Sequence, residues 1–294
     1  MTEKTLNIGW IGAGKMGLPI AKRFKDAGHS VTVLARTDQA KAKIENLGLA
    51  AKPSISAVCQ DAEIVFSSIS DDAALIDIVC SKGGIAETLR KGSVYIDIST
   101  VSPDASSRVA EPLQQAGVVY LRSPVSGSTT MAESGTLTAV VSGPLAKFEE
   151  LQPIFSQFAR KSFHVGEAEE ARSMKLVLNS MVAATSALLA EALAFGAKGG
   201  LDVATMLNVV SQSVVASPLI AYKTDMIVKD DYRPAATLSM LQKDVDLFLA
   251  TGSKAKLNMP LSTRIHQIYS DATQRGLGER DFFVLVQDAL AQAK

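Results

Sequence analysis

Six residues near the start of the chain, Gly12-Ala13-Gly14-Lys15-Met16-Gly17, restrict its fold more than any other stretch. They follow an apolar, β-rich run, Leu6–Ile11, and open a helical pattern over Gly17–Ala27. A GxGxxG segment set between strand and helix lets the backbone turn sharply and approach a pyrophosphate at the helix N-terminus, and its third glycine lets helix and strand pack closely. This setting predicts a βαβ unit that binds a dinucleotide through residues 12–17. The same stretch also satisfies GxxxxGK from Gly9 to Lys15. A phosphate-binding P-loop, however, needs Ser or Thr next for its magnesium ion, and Met16 stands there.

The second apolar run ends Val33-Leu34-Ala35-Arg36-Thr37. An NAD-preferring site wants an acid at this strand end to accept from the ribose 2′-hydroxyl. Ala35 cannot do so, whereas Arg36 and Thr37 can donate to a 2′-phosphate, the guanidinium as a bidentate fork. NADP(H) is therefore the expected cofactor, with NAD(H) as the second choice; the alternative for Arg36 is a solvated residue at a helix start.

Composition narrows the partners. The formal net charge is zero, with 30 basic and 30 acidic residues and no long basic run, so nothing draws nucleic acid or an anionic membrane surface. Cys59 and Cys80 have no CxxC spacing and no neighbouring His, which argues against a disulfide framework or a metal site and fits a reducing, cytoplasmic location. The opening apolar run is too short for a signal sequence and leads straight into the glycine loop.

Along the first half, candidate strands at Leu6–Ile11, Val31–Leu34, Ile64–Ile69, Val94–Ile98, Val118–Leu121, Ala139–Ser142 and Ser162–Val165 alternate with helical patterns. The helices are expected at Gly17–Ala27, Thr37–Asn46, Asp72–Ser81, Pro103–Ala116 and Pro144–Phe158. Such alternation predicts an α/β, doubly wound, mainly parallel sheet. After Val165 the strand signals stop and helices follow at Val203–Ser211, Pro218–Ile227, Ala236–Ala250, Pro260–Gln274 and Asp281–Gln292. The expected organisation is a Rossmann domain over 1–166, then an all-α domain over 167–294 that includes a long interdomain helix.

That helix, Ser173–Phe195, has no Pro or Gly and is apolar nearly all the way round, a pattern expected of a buried segment. Lys175 and Asn179 interrupt it at i, i+4 spacing and so share one face. Either the lysine stem snorkels to water or the ammonium faces a group that uses it.

Four spaced stretches make the chain resemble the β-hydroxyacid dehydrogenase family, the group of 3-hydroxyisobutyrate dehydrogenase and tartronate semialdehyde reductase. They are Gly9–Gly17, Pro124-Val125-Ser126-Gly127-Ser128 with Gly135-Thr136-Leu137, Lys175 with Asn179, and Lys243-Asp244 with Leu247–Ala250. Ile96-Asp97-Ile98-Ser99-Thr100 is similar to the family's strand-end turn beside the nicotinamide. The resemblance implies hydride transfer between NADP(H) and a small β-hydroxy acid or its semialdehyde or keto acid. It implies Lys175 as proton donor and acceptor, Asn179 and the 126–128 segment as substrate-binding, and Ile69, Ser70, Thr100 and Lys243 as further cofactor contacts. Ser126, Gly127 and Ser128 form a small-residue loop whose N–H groups and hydroxyl can hold a carboxylate, or an ordinary turn. An ordinary lysine ammonium, with a pKa of about 10.4, is an acid at neutral pH, whereas base duty requires desolvation or a nearby cation; reduction is thus the easier direction.

The chain departs from the family pattern at Arg122 and Ser123, at Ser128, at Glu169 and Ala171, and at Ser68-Ile69-Ser70-Asp71, which lacks the usual proline. Arg122 is expected to pair with a surface carboxylate; the alternative is a second acidic group on the substrate. Other readings of the whole chain are an imine reductase of the same architecture or a catalytically silent NADP-binding module. The resemblance also implies a homodimer or homotetramer through the helical domain, whose apolar Leu238, Met240, Leu241, Leu247, Phe248 and Leu249 need burial.

Overall fold

The computed structural model describes residues 5–293. The chain runs β1 (Asn7–Ile11), α1 (Gly17–Asp26), β2 (Ser30–Leu34), α2 (Asp38–Asn46), β3 (Ala50–Lys52), α3 (Ile55–Cys59), β4 (Ile64–Ser67), α4 (Asp72–Cys80) and α5 (Ile85–Thr88). It continues through β5 (Val94–Asp97), α6 (Pro103–Gln115), β6 (Val119–Arg122), β7 (Val125–Ser126), α7 (Thr129–Ser134), β8 (Leu137–Ser142), α8 (Leu145–Glu150), α9 (Gln152–Ser156) and β9 (Ala159–Gly166). Helices follow: α10 (Glu170–Lys198), α11 (Val203–Ser211), α12 (Pro218–Val228), α13 (Leu238–Lys254), α14 (Pro260–Ala272) and α15 (Val284–Gln292). The chain divides into two compact units, Met1–Lys175 and Leu176–Lys294.

The first unit is built on a sheet of order β3-β2-β1-β4-β5-β6-β8-β7, with β9 paired to β8. β1 to β6 pair in parallel, β8 runs antiparallel to β6 and β7, and β9 returns parallel to β8. This is the doubly wound, mainly parallel architecture that the alternation predicts, with the order reversing at β1 so that the loops after β1 and β4 diverge. Because side chains alternate across a strand, Trp10, Phe66 and Ile96 face one core and Ile11, Val65 and Tyr95 the other. Trp10 stacks on Phe66 at 5.3 Å, and Phe24, Phe155 and Phe158 complete that aromatic layer.

In the second unit, Ala183, Leu189 and Leu193 of α10 pack with Leu207, Leu238, Tyr269 and Phe283. By length and composition α10 could cross a bilayer, yet these residues lie in a protein core. The helix is not buried all round, as its composition suggests it should be. Met181, Leu188 and Phe195, spaced by seven, are 64%, 71% and 83% exposed. Of the six apolar residues expected to need cover on α13, only Met240 is exposed; Leu238 and Leu241 are core, and Leu247, Phe248 and Leu249 are half-buried.

The expected helix over Pro144–Phe158 is two helices, because Pro153 lacks the N–H that would continue α8 and starts α9 instead. The segment expected to be helical to Gln274 leaves α-geometry at Thr273, and Gly276 lies at φ +85°. β3, β7, α3, α5 and α7 are additional elements of two to six residues.

Candidate functional site

The glycine loop sits at the carboxyl end of β1, and each glycine has its own reason to be there. Gly12 has φ +101°, and a Cβ would fall 2.0 Å from the Ser68 carbonyl oxygen. A Cβ on Gly17 would meet the Gly12 oxygen at 2.2 Å and the Trp10 indole nitrogen at 2.6 Å. Trp10 Nε1 donates to that same Gly12 oxygen at 3.0 Å. At Gly14, by contrast, nothing lies within 4 Å of an added Cβ. Packing within the protein therefore gives no reason for glycine at this position, and the open space is what close approach of a pyrophosphate to the backbone would need. Helix α1 begins there with no side-chain cap; Leu18 N–H donates to the Gly14 carbonyl oxygen at 3.1 Å and Pro19 has no N–H, so the positive end of the helix is offered through the backbone before Leu18. These residues fit the pyrophosphate of a dinucleotide. Lys15 is exposed and Ala13 and Met16 are half-buried beside the aromatic core.

Arg36 follows β2 and is exposed, 4.0 Å from Asp77, a separation at which an exposed pair contributes little. Thr37 Oγ1 accepts from Ala40 N–H as the cap of α2, and the hydroxyl proton remains to donate elsewhere. Ile69 and Ser70 follow β4, and Thr100 follows β5. Three hydrogen bonds tie these neighbouring loops: Ile69 N–H donates to Ser99 Oγ at 2.8 Å, and Ser102 donates to Asp72 from its N–H and its hydroxyl at 2.8 and 2.6 Å. The loops after β1, β2, β4 and β5, which hold the expected cofactor residues of this unit, thus lie along one edge of the sheet.

The 126–128 segment is less of a loop than expected. Ser126 belongs to the short strand β7, paired with Thr138, because Val125 and Ser126 find the free edge of β8. Gly127 lies at φ +142°, against Leu137 and Met131. Ser128 caps α7, accepting from Met131 N–H at 3.3 Å, and shares a hydrogen bond with Thr130.

Arg122, at the end of β6, pairs with Glu169, donating from Nε at 3.0 Å and Nη2 at 2.5 Å to one carboxylate oxygen. Its guanidinium also lies 4.2 Å from the Tyr120 ring centroid. The expected carboxylate partner is present, but it is largely buried and not on the surface. Two departures from the family pattern therefore compensate each other in charge.

Lys175 is half-buried in the second turn of α10, and Asn179 is buried one turn further along the same helix. Asn179 Nδ2 donates to Asp244 Oδ2 at 2.6 Å. Lys243 Nζ lies 3.0 Å from Asp244 Oδ1, an ion contact without hydrogen-bond alignment. Asp244 thus fixes the amide of Asn179 so that its carbonyl oxygen and second N–H point elsewhere, a role that sequence reasoning did not give it. The only sequence signal was its place after Lys243.

Sequence reasoning also missed a buried polar network in the first unit. Asp97, Arg172, Tyr95, Tyr120, Ser67, Ser99 and Ser106 are all buried and hydrogen-bonded to one another. Burial raises the phenol pKa of Tyr95 and Tyr120 above the usual tyrosine value, Asp97 adding to the effect, so both stay protonated donors.

Residues 7–166 match the NAD binding domain of 6-phosphogluconate dehydrogenase, and residues 170–288 match the NAD-binding domain of NADP-dependent 3-hydroxyisobutyrate dehydrogenase. Glyoxylate/succinic semialdehyde reductase 2, chloroplastic, of Arabidopsis thaliana is 31% identical over 99% of this chain and 81% of its own. The 2-(hydroxymethyl)glutarate dehydrogenase of Eubacterium barkeri is 30% identical over 97% of this chain and 95% of its own. The 3-hydroxyisobutyrate dehydrogenase of Mycobacterium tuberculosis, solved with L-serine, shares the fold at a TM-score of 0.88 and 22% identity, covering 97% of this chain and 99% of that one. The chain belongs to the β-hydroxyacid dehydrogenase family and is an NAD(P)-dependent oxidoreductase.

Proposed function

We propose that the chain is an NADPH-preferring reductase of a small semialdehyde or keto acid bearing a carboxylate, running in reverse on the β-hydroxy acid. The observation that carries this reading is Asn179, buried and held by Asp244 one turn beyond Lys175 on a continuous helix. When bound, the nicotinamide supplies or accepts the hydride. Lys175 Nζ gives a proton to the carbonyl oxygen as it becomes a hydroxyl, and receives it in the reverse direction. Asn179 orients that oxygen or the substrate carboxylate, and residues 126–128 hold the carboxylate through backbone N–H groups and Ser126. The relatives' names support this class of substrate, one being a semialdehyde reductase and another a hydroxymethyl-acid dehydrogenase. An imine reductase or a silent binding module would leave Lys175, one helical turn before the fixed amide of Asn179, without a use. Screening NADPH oxidation against small semialdehydes, keto acids and cyclic imines tests the proposal, and turnover of imines alone would overturn it.

Preference for NADPH rests on Arg36 and Thr37. Arg36→Ala is expected to raise the NADPH KM by roughly 10- to 150-fold, from about 1.5–3 kcal/mol for hydrogen bonds to a charged group, and to leave the NADH KM unchanged. Equal effects on the two cofactors would remove Arg36 from the 2′-phosphate site.

The second unit is proposed to build a homodimer or homotetramer. The exposed Met181, Leu188 and Phe195 support it, since apolar residues at a spacing of seven form a seam suited to another helix. Light scattering at micromolar concentration is expected to give at least twice the chain mass; a monomer contradicts the proposal. Unpaired thiols at Cys59 and Cys80 support a cytoplasmic location, which cell fractionation decides.

A further inference from the structure

The first turn of α10 is anchored by a side chain that lies wholly inside the sheet unit. Arg172 and Asp97 have 0% side-chain exposure, and Arg172 Nη2 donates to Asp97 Oδ2 at 2.6 Å. The same guanidinium donates from Nη2 to Tyr120 Oη at 2.8 Å, from Nη1 to the Ser99 carbonyl oxygen at 2.8 Å and from Nε to Ser106 Oγ at 3.2 Å. Its acceptors come from the end of β5, from α6 and from β6, so the planar fork is fixed in rotation as well as in distance. Asp97 Oδ1 faces the other way. It accepts from the hydroxyls of Ser67 and Ser99 at 2.5 and 2.6 Å, and Ser99 Oγ in turn accepts from Ile69 N–H. One buried carboxylate therefore carries α10 on one oxygen and the loops after β4 and β5 on the other.

We infer that Arg172 is a positioning residue for the reaction, holding the helix that bears Lys175 in register with the loops at Ile69 and Thr100. The inference rests on the reading of Lys175 as the proton donor. Lys175 follows Arg172 by three residues, so it lies on the same side of the helix about 4.5 Å along the axis. Its ammonium ends a flexible four-carbon stem, and only the backbone that carries it can be fixed from outside. Proton and hydride transfer tolerate little displacement, and an error of about 1 Å costs on the order of 10²-fold in rate. A buried ion pair adds little net stability over apolar residues of similar volume, so fold stability alone gives no reason for this one. Lysine at position 172 would keep the charge but reach the acceptors from a single nitrogen.

The test uses the full chain with NADPH and whichever semialdehyde it turns over. Arg172→Lys is expected to lower the single-turnover rate of NADPH oxidation by about 10- to 100-fold, with the NADPH Kd within about twofold of wild type. The double variant Arg172→Met/Asp97→Leu replaces the pair with apolar volume; it is expected to fold and to be at least as slow. Unchanged rates per folded molecule in either variant, whatever the melting temperature, would overturn the inference and leave a purely structural pair. Lys175→Met separates this from the reading beneath it. If Lys175→Met is inactive while Arg172→Lys keeps the full rate, only the positioning role fails; if Lys175→Met turns over normally, both fall.

Discussion

Lys175→Met is expected to lower kcat by about 10²- to 10⁴-fold, the range that positioned acid–base groups contribute, while NADPH binds with a Kd close to that of the unaltered chain. Methionine keeps the length and apolar character of the stem and is a good helix former, so α10 should persist. If the ammonium acts only as charge develops on the substrate oxygen, kcat and kcat/KM fall together. A rise in KM alone would make Lys175 a binding group. Simultaneous loss of NADPH affinity and thermal stability would make it a structural one.

The glycine loop gives the second large contrast, because two of its glycines should fail in different ways. Gly14→Val is expected to leave the melting temperature within about 2 °C and to raise the NADPH Kd by roughly 10²-fold or more. It places a side chain where no protein atom lies, and keeping a bound pyrophosphate from two backbone hydrogen bonds would cost about 1.5–3 kcal/mol each. Gly12→Ala is expected to cost about 3 kcal/mol of stability, combining a strained positive φ with a Cβ 2.0 Å from the Ser68 carbonyl oxygen. For a unit of this size that is a fall of roughly 6–12 °C in Tm. Thermal melts with and without NADPH separate the two. Equal destabilisation by both substitutions would mean that the space at Gly14 serves the fold and not a ligand.

The main parallel strands were legible because buried parallel strands are continuous apolar runs separated by turn residues, as at Ile8, Val31, Ile64, Val94 and Val119, whereas their order in the sheet was not read from the sequence. Ala50–Lys52 and Val125–Ser126 were not, since two or three residues carry no period and become strands only beside an existing edge. Asn179 stood out as a polar residue in an apolar helix, but its partner Asp244 lies 65 residues away. Asp97 was read only as part of a strand-end turn, and nothing beside it in the sequence indicates that it is buried or which of the 30 basic residues is its partner. Arg172 gave no signal of its own, because an arginine in the first turn of a helix ordinarily extends into water. The seam on α10 was hidden for a related reason: composition reports how apolar a helix is, not how many of its sides a single chain covers.

The Asp97–Arg172 bond also orders events during synthesis. Asp97 precedes Arg172 by 75 residues, so at about 5–20 residues per second the strand bearing the carboxylate leaves the ribosome several seconds before its counter-charge. The nine strands among the described residues have all been made by Gly166, yet the nascent sheet still lacks that cation. An uncompensated buried charge costs roughly 3–5 kcal/mol, a large share of the 5–15 kcal/mol that stabilises a typical domain. We propose that the sheet reaches its full stability only when the start of α10 has emerged. A fragment of residues 1–166 should accordingly melt without cooperativity where one of residues 1–178 melts sharply, and matching melts would show that the nascent sheet does not wait for its arginine.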